Sequence, residues 1–316
     1  MAGASVAATD ARGRTPLHLA AQSSRPDLLN RLLAAGAAAQ ATDANGTSVL
    51  AYAVLRNSTA NVARLCAAGA PVDGLLSADR SEDRATMDGR LCHRAICTSP
   101  LIWAARHDRV DMVATLLAAG ANPEQNVDRW TALRAAASHG HADVVGVLLQ
   151  GGATAAELAL GHLGGLPPLI WATSRGYPAV VAQLLEAGAS PDTTEKSGRR
   201  WTALRHAVAI GDLSVVKLLL EAEAAVDLRE PVQMRKAMYV ASRTGQAGVV
   251  QRLLAGGASV DAAPDVEGWT PLMWACHGYL PIVKALLAAK ASPHIMAVSG
   301  ESALKVSSEV YLAGLG

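Results

Sequence analysis

The side chains best placed for chemistry in this 316-residue chain are basic ones at a recurring place: Arg56, Arg106 with His107, His139, Arg175, Arg243 and His277. They stand eight or nine residues into successive copies of one pattern, with His277 counted across a one-residue deletion, and no carboxylate takes these positions. Such groups bind acidic or phosphorylated surfaces through charge-assisted hydrogen bonds. Trp130, just ahead of one copy, adds the kind of aromatic side chain that anchors interfaces. The row is broken, since the first copy offers Gln22-Ser23 and the sixth Ala209-Ile210. The bland reading is a series of solvated helix ends. The functional one is a partner-binding stripe whose middle is Arg106, His107, His139 and Arg175.

Chemistry of other kinds finds less support. The chain has no Gly-x-Ser-x-Gly elbow, no phosphate loop ending in Gly-Lys-Ser/Thr, no His-Glu-x-x-His pair and no Gly-x-Gly-x-x-Gly after a strand. Gly161-His162-Leu163-Gly164-Gly165 follows an apolar, helix-like stretch and reads as a distorted hairpin. Cys92-His93 and Cys97 supply three soft ligands, whereas zinc sites want four at tighter spacings. No catalytic residue, metal or cofactor is therefore expected. Cys66 and Cys276 read as small core residues.

The elements that carry these residues repeat. Copies start at Thr15, Ser48, Ser99, Thr131, Pro167, Thr202, Lys236 and Thr270, with a half copy at Ser302. Seven of them close 21 residues later, at Gly36, Gly69, Gly120, Gly152, Gly188, Glu223 and Gly257, and the eighth closes one residue sooner at Lys290. A Thr or Ser start caps a helix, and Pro16, Pro100, Pro168 and Pro271 fit its first turn, where no N–H is needed. Apolar residues follow at the third, fifth and sixth positions, as in Leu101, Trp103 and Ala104. Trp103, Trp171 and Trp274 at the fifth position are expected in the core, and Trp130, Trp201 and Trp269 half exposed at the helix entry. A second helix carries pairs such as Val144-Val145 and Leu148-Leu149, and its closing Gly suits a left-handed residue. Helices this short are marginal alone, so stacked neighbours must supply the stability.

The chain resembles an ankyrin repeat protein. The likeness rests on Thr15-Pro16-Leu17-His18-Leu19-Ala20-Ala21, on Gly268-Trp269-Thr270-Pro271-Leu272, on Gly140-His141 and on endings such as Leu117-Ala118-Ala119-Gly120-Ala121, over about residues 10–310. It implies an all-α solenoid of helix-turn-helix repeats with protruding hairpins, whose concave side and loop tips bind partners, and no catalytic residues. His18 matches the histidine that joins neighbouring repeats, and Arg134 and Arg205 replace it in the fourth and sixth copies. The domain expectation is a tail over 1–9 and one array over 10–316, eight repeats and a half, with an insertion at 74–97. That insertion mixes charges without an apolar period and reads as a mobile loop extending a hairpin.

A net charge of +1 argues against a general nucleic-acid binder. No apolar run reaches the length of a membrane span, and Met1 to Thr9 lacks the form of a signal peptide. The resulting expectation is a soluble monomer, cytoplasmic with the nucleus open, acting as a scaffold or adaptor for an acidic or phosphorylated protein partner. The alternative is the targeting or regulatory region of a larger enzyme, channel or ubiquitin-ligase assembly, which an ending half a copy long keeps in play.

Overall fold

The computed structural model describes residues 5–23, 25–77, 97–155, 166–195, 201–224, 237–261 and 267–307. The chain divides into two compact units, Met1–Thr154 and Ala155–Gly316. In the first unit four helix pairs follow one another: α1 (Pro16–Gln22) with α2 (Pro26–Ala34), α3 (Val49–Leu55) with α4 (Thr59–Ala67), α5 (Pro100–Arg106) with α6 (Val110–Ala118), and α7 (Ala132–His139) with α8 (Ala142–Gln150). The second has α9 (Pro168–Ser174) with α10 (Pro178–Glu186), α11 (Ala203–Ile210) with α12 (Leu213–Glu221), α13 (Ala237–Arg243) with α14 (Ala247–Ala255), and α15 (Pro271–Ala275) with α16 (Leu280–Ala288). Within each unit, first helices pack on first helices and second on second, and each pair also packs on itself. The core lies between the two layers, filled by Leu17, Leu29, Leu50, Leu65, Leu101 and Leu116 in the first unit.

The helices start as the sequence dictates. The Ser48, Ser99, Thr131, Thr202 and Thr270 hydroxyls each accept the N–H three residues on, at 3.1–3.3 Å. Ahead of the first helices, hairpins are pinned by an aspartate: Asp10 Oδ1 accepts from the N–H of Arg12 and Arg14, and Asp43 Oδ1 from Asn45 and Thr47, all at 2.9 Å. Successive hairpins touch through their backbones, with Ala44 N–H donating to Arg12 O and Val298 N–H to Glu267 O, both at 3.0 Å.

Two left-handed positions recur. One closes the second helix, where Glu223 (φ 60°) and Lys290 (φ 66°) take the conformation that glycine holds in other copies. The other joins the two helices of a pair, where Asn57 (φ 55°) and Asp108 (φ 57°) stand in for Gly140, Gly176 and Gly211.

The base of the expected insertion is a two-stranded ladder. β1 (Leu76–Ser77) pairs antiparallel with β2 (Cys97–Thr98), Leu76 opposite Thr98. β2 ends directly before the cap Ser99, where other copies make a single bridge such as Thr42 with Ser48 or Met296 with Ser302. Residues 78–96, with Cys92, His93 and the expected loop, lie outside the described residues, as do 161–165 and Lys236.

One expectation fails. The third and sixth pattern positions are fully buried, as Leu17, Ala20, Leu101 and Ala104 illustrate, but the fifth is not where it carries a large side chain. Leu19 is 45% exposed, and Trp103, Trp171 and Trp274 are only half-buried. The helix turns about 100° per residue, so the fifth position lies about 200° round from the third, on the far side from the second helix. Cys66 and Cys276 are likewise half-buried, and burial pushes both thiols up.

Candidate functional site

The fifth position and the two basic positions share a face because residues four apart on a helix are neighbours. Trp103 on α5 and His107, which caps that helix, stack with ring centroids 4.3 Å apart and 25° between planes. The Arg175 guanidinium at the end of α9 lies 5.0 Å from the Trp171 ring centroid. Arg243 uses the fourth position, 5.9 Å over Tyr239, and reaches Trp274 of the next pair at 5.7 Å. His277 lies 5.8 Å from Trp274 and stacks on Trp269 at 5.4 Å. His107, Arg175, Arg243 and His277 are thus seated on aromatic rings of their own or the adjacent repeat. Cation–π contacts of this exposed kind contribute about 0.5–1 kcal/mol each and restrict the rotamers of the charged group.

In the first unit the stripe is tied together across repeats. His141, at the start of α8, donates from Nε2 to the carbonyl of Arg106 at 3.0 Å. His139 stacks parallel to His141 at 5.6 Å and donates from Nδ1 to the Ala135 carbonyl at 2.9 Å. His107 donates from Nδ1 to the Trp103 carbonyl at 2.8 Å, which leaves its Nε2 for a partner. Arg106, His107 and His139 are therefore brought together, Arg106 and His139 half-buried and His107 exposed. Arg56 is exposed at the end of α3, which packs beside α5.

Trp130 is placed differently. It forms a bridge with Val127 in the hairpin that opens α7, whereas His139 closes that helix. The eight residues of α7 put about 12 Å of helix between the two positions. Trp130 is half-buried, like Trp201 and Trp269, in agreement with their expected exposure.

The second unit holds one more such group. Arg205 lies 4.1 Å over Trp201, and His206, 5.1 Å from the same ring, places Nε2 3.8 Å from Glu195 Oε2. Burial pushes the His206 imidazole down, with the Glu195 charge pulling weakly the other way. The aromatic seats were the part missed by a reading that assigned the fifth-position tryptophans to the core. Their signal was an aromatic residue four positions before a basic one, as in Trp103-x-x-x-His107, Trp171-x-x-x-Arg175 and Tyr239-x-x-x-Arg243.

His18 links its own copy to the next, where the Thr47 backbone bonds its ring. Its buried ring takes the Thr15 N–H at Nδ1 (3.1 Å) within its own copy and meets the next copy edge-on, 5.3 Å from Tyr52. Among the described residues no group of His, Cys, Asp and Glu is arranged to hold a metal ion, and no helix is long and apolar enough to cross a membrane.

Known proteins resemble the chain in the same terms. The family model "Ankyrin repeats (3 copies)" matches residues 2–74, 87–157 and 204–297, and "Ankyrin repeats (many copies)" matches 169–220. The ankyrin repeat and KH domain-containing protein mask-1 of Caenorhabditis elegans is 36% identical over 169 residues, 51% of this chain and 6% of that protein. Glycerophosphocholine phosphodiesterase gde1 of Schizosaccharomyces pombe is 35% identical over 125 residues, 39% of this chain and 11% of that protein. The mouse B-cell lymphoma 3 protein homolog is 32% identical over 185 residues, 57% and 40% of the two chains. The chain thus spans less than half the length of each of these curated relatives. Among solved structures, the human ASB11 ankyrin repeat domain superposes with a TM-score of 0.55 at 28% identity, covering 68% of this chain and 97% of that one. The repeats, their helix pairs and these matches agree, and the chain belongs to the ankyrin repeat family.

Proposed function

We propose that this chain is a non-catalytic scaffold or adaptor that grips an acidic protein partner through the basic side chains at the ends of its first helices. Ankyrin repeats mediate protein–protein interaction and the fold is typically non-catalytic. The observation that carries the finer reading is a seat that recurs in each unit: His107 on Trp103 in the first, Arg175 on Trp171 and Arg243 on Tyr239 in the second. The half-exposed rings of Trp103 and Trp171 beside ordered basic groups have a composition common at interface hot spots. The expected setting is a cytoplasmic monomer.

The test is a quantitative pull-down from cell extract with wild type and the Arg106→Glu/Arg175→Glu double variant, after circular dichroism shows equal helicity. Loss of about tenfold in partner recovery, and a wild-type signal that falls with salt, are expected. Unchanged recovery, or indifference to salt, would reject the basic surface.

A second reading, a targeting region within a larger assembly, is favoured by the relatives' size, since the match occupies only 6% and 11% of the first two. The same surface would then serve to recruit substrates or partners to that assembly.

A further inference from the structure

We infer that Tyr239, Arg243, Trp269, Trp274 and His277 form a docking site for a short acidic peptide segment, in which a carboxylate side chain neighbours an aromatic or large aliphatic one. The inference rests on the interaction reading above and deepens it, by naming one site within the second unit and the chemistry of its occupant.

Trp274 is the hub. Tyr239 meets it edge-on at 5.7 Å and 85°, Trp269 lies 4.8 Å away at 42°, and His277 is 5.8 Å away. The Arg243 guanidinium stands over both Trp274 and Tyr239. The members come from four places: Tyr239 and Arg243 from α13, Trp274 from α15, His277 from the turn after α15, and Trp269 from the hairpin ahead of it. Tyr239 is buried and forms the floor, the two tryptophans are half-buried, and Arg243 and His277 are exposed at the rim. The indole N–H of Trp274 is buried and has no acceptor among the described residues.

The occupant follows from the charges. Arg243 already supplies the positive charge over the rings, so the cluster offers a cation outward and does not offer an open cage to one. A guanidinium lying on a ring uses its face and keeps its in-plane N–H donors for a fork-shaped acceptor. One guanidinium matches one carboxylate, bidentate, whereas phosphorylated motifs are read by clusters of arginines. Beside it, the half-exposed rings of Trp269 and Trp274 give a planar apolar surface for the neighbouring side chain.

The experiment uses the full chain and an array of immobilised ten-residue peptides built from Glu, Asp, Leu, Phe and Trp, with Gln-for-Glu and phosphoserine versions alongside. The tightest acidic peptides are then followed in solution by fluorescence anisotropy. Arg243→Glu and Trp269→Ala should each weaken binding at least tenfold, His277→Gln less. Arg252→Glu on α14 should change it under twofold, and Gln-for-Glu exchange in the peptide should abolish it. Arg243→Gln serves should the charge reversal disturb folding. Acidic peptides that bind equally to the Arg243 and Trp269 variants yet are lost in Arg106→Glu/Arg175→Glu would overturn this site and leave the broader reading standing. Preference for phosphoserine peptides would overturn the carboxylate assignment, and no binding of any acidic peptide would overturn both proposals.

Discussion

The Nε2–H of His141 donates to the carbonyl of Arg106 at 3.0 Å, joining the start of α8 to the last turn of α5. That carbonyl is one of the orphan acceptors at a helix end, and the bond comes from a residue 35 positions away. It holds in place the turn that presents Arg106 and His107. His141→Ala should therefore lower stability by about 1 kcal/mol, the usual net value of such a bond. Amide exchange at residues 107–110 should rise with it. A melting temperature and exchange pattern equal to wild type would show that the bond does not hold the turn.

Gly268 and Gly257 test two separate costs. Both have positive φ, 79° and 86°, but a Cβ on Gly268 would lie 2.8 Å from the backbone N of Val298, while one on Gly257 meets nothing within 4 Å. Gly257→Ala should cost about 1 kcal/mol from its left-handed backbone alone. Gly268→Ala must in addition push apart two hairpins whose backbones are bonded, and should cost clearly more. Equal urea-unfolding midpoints for the two variants would contradict this.

Glu223 and Lys290 invite the reverse change. Each is a left-handed residue with a Cβ where other copies have glycine. Glu223→Gly and Lys290→Gly should each stabilise by up to about 1 kcal/mol, less the extra freedom glycine gives the unfolded chain. Amide exchange near residue 223 should slow in the first variant, which equilibrium unfolding and exchange together can check. A destabilised Glu223→Gly would mean that the glutamate side chain makes a contact worth more than the strain.

The hairpin before α3 sets the response to pH. Burial pushes the Asp43 carboxyl up, but the Tyr52 hydroxyl at 2.7 Å and the N–H groups of Thr47 and Asn45 outweigh it and hold the pKa below the ordinary 3.8. Its contribution is present above that value and is lost as pH falls through the depressed one. Burial likewise holds the His18 imidazole below 6.5, so its neutral form favours folding and that gain is lost as pH falls below 6.5. Burial, followed by the bond to Asp43, pushes Tyr52 up to about 12, so its contribution is intact below 10 and disappears as pH rises from 10 to about 12. The first repeats should be most stable between roughly pH 6.5 and 10. Amide exchange at residues 43–55 across pH should show both limbs, and Tyr52→Phe should flatten the alkaline one. An alkaline limb unchanged in that variant would assign the loss to another group.

The repeat was legible because each helix boundary is written in short-range chemistry: a Ser or Thr cap, a proline in the first turn, and a left-handed closing residue. Even the exceptions kept the geometry, since Glu223 and Lys290 adopt the conformation their positions demand. The face of each first helix was harder to read. A tryptophan at the fifth position looks like core by composition, and only its angle from the third, together with a basic residue four places on, reveals a half-exposed seat. That Arg106, His107 and His139 stand at the ends of first helices followed from spacing alone. The bond from His141 was not, because it joins two repeats and depends on how they stack.

The pairing of Leu76 with Thr98 means that the chain leaves the second repeat and enters the third through a single doorway. Cross-strand partners sit only about 5 Å apart, so the distance the intervening chain must span is set by the doorway and not by its length. Closing a longer loop there costs only a logarithm of the added residues. The position between Ser77 and Cys97 is thus a natural port into which sequence can be spliced or removed while the register of the helix pairs on either side stays as it is.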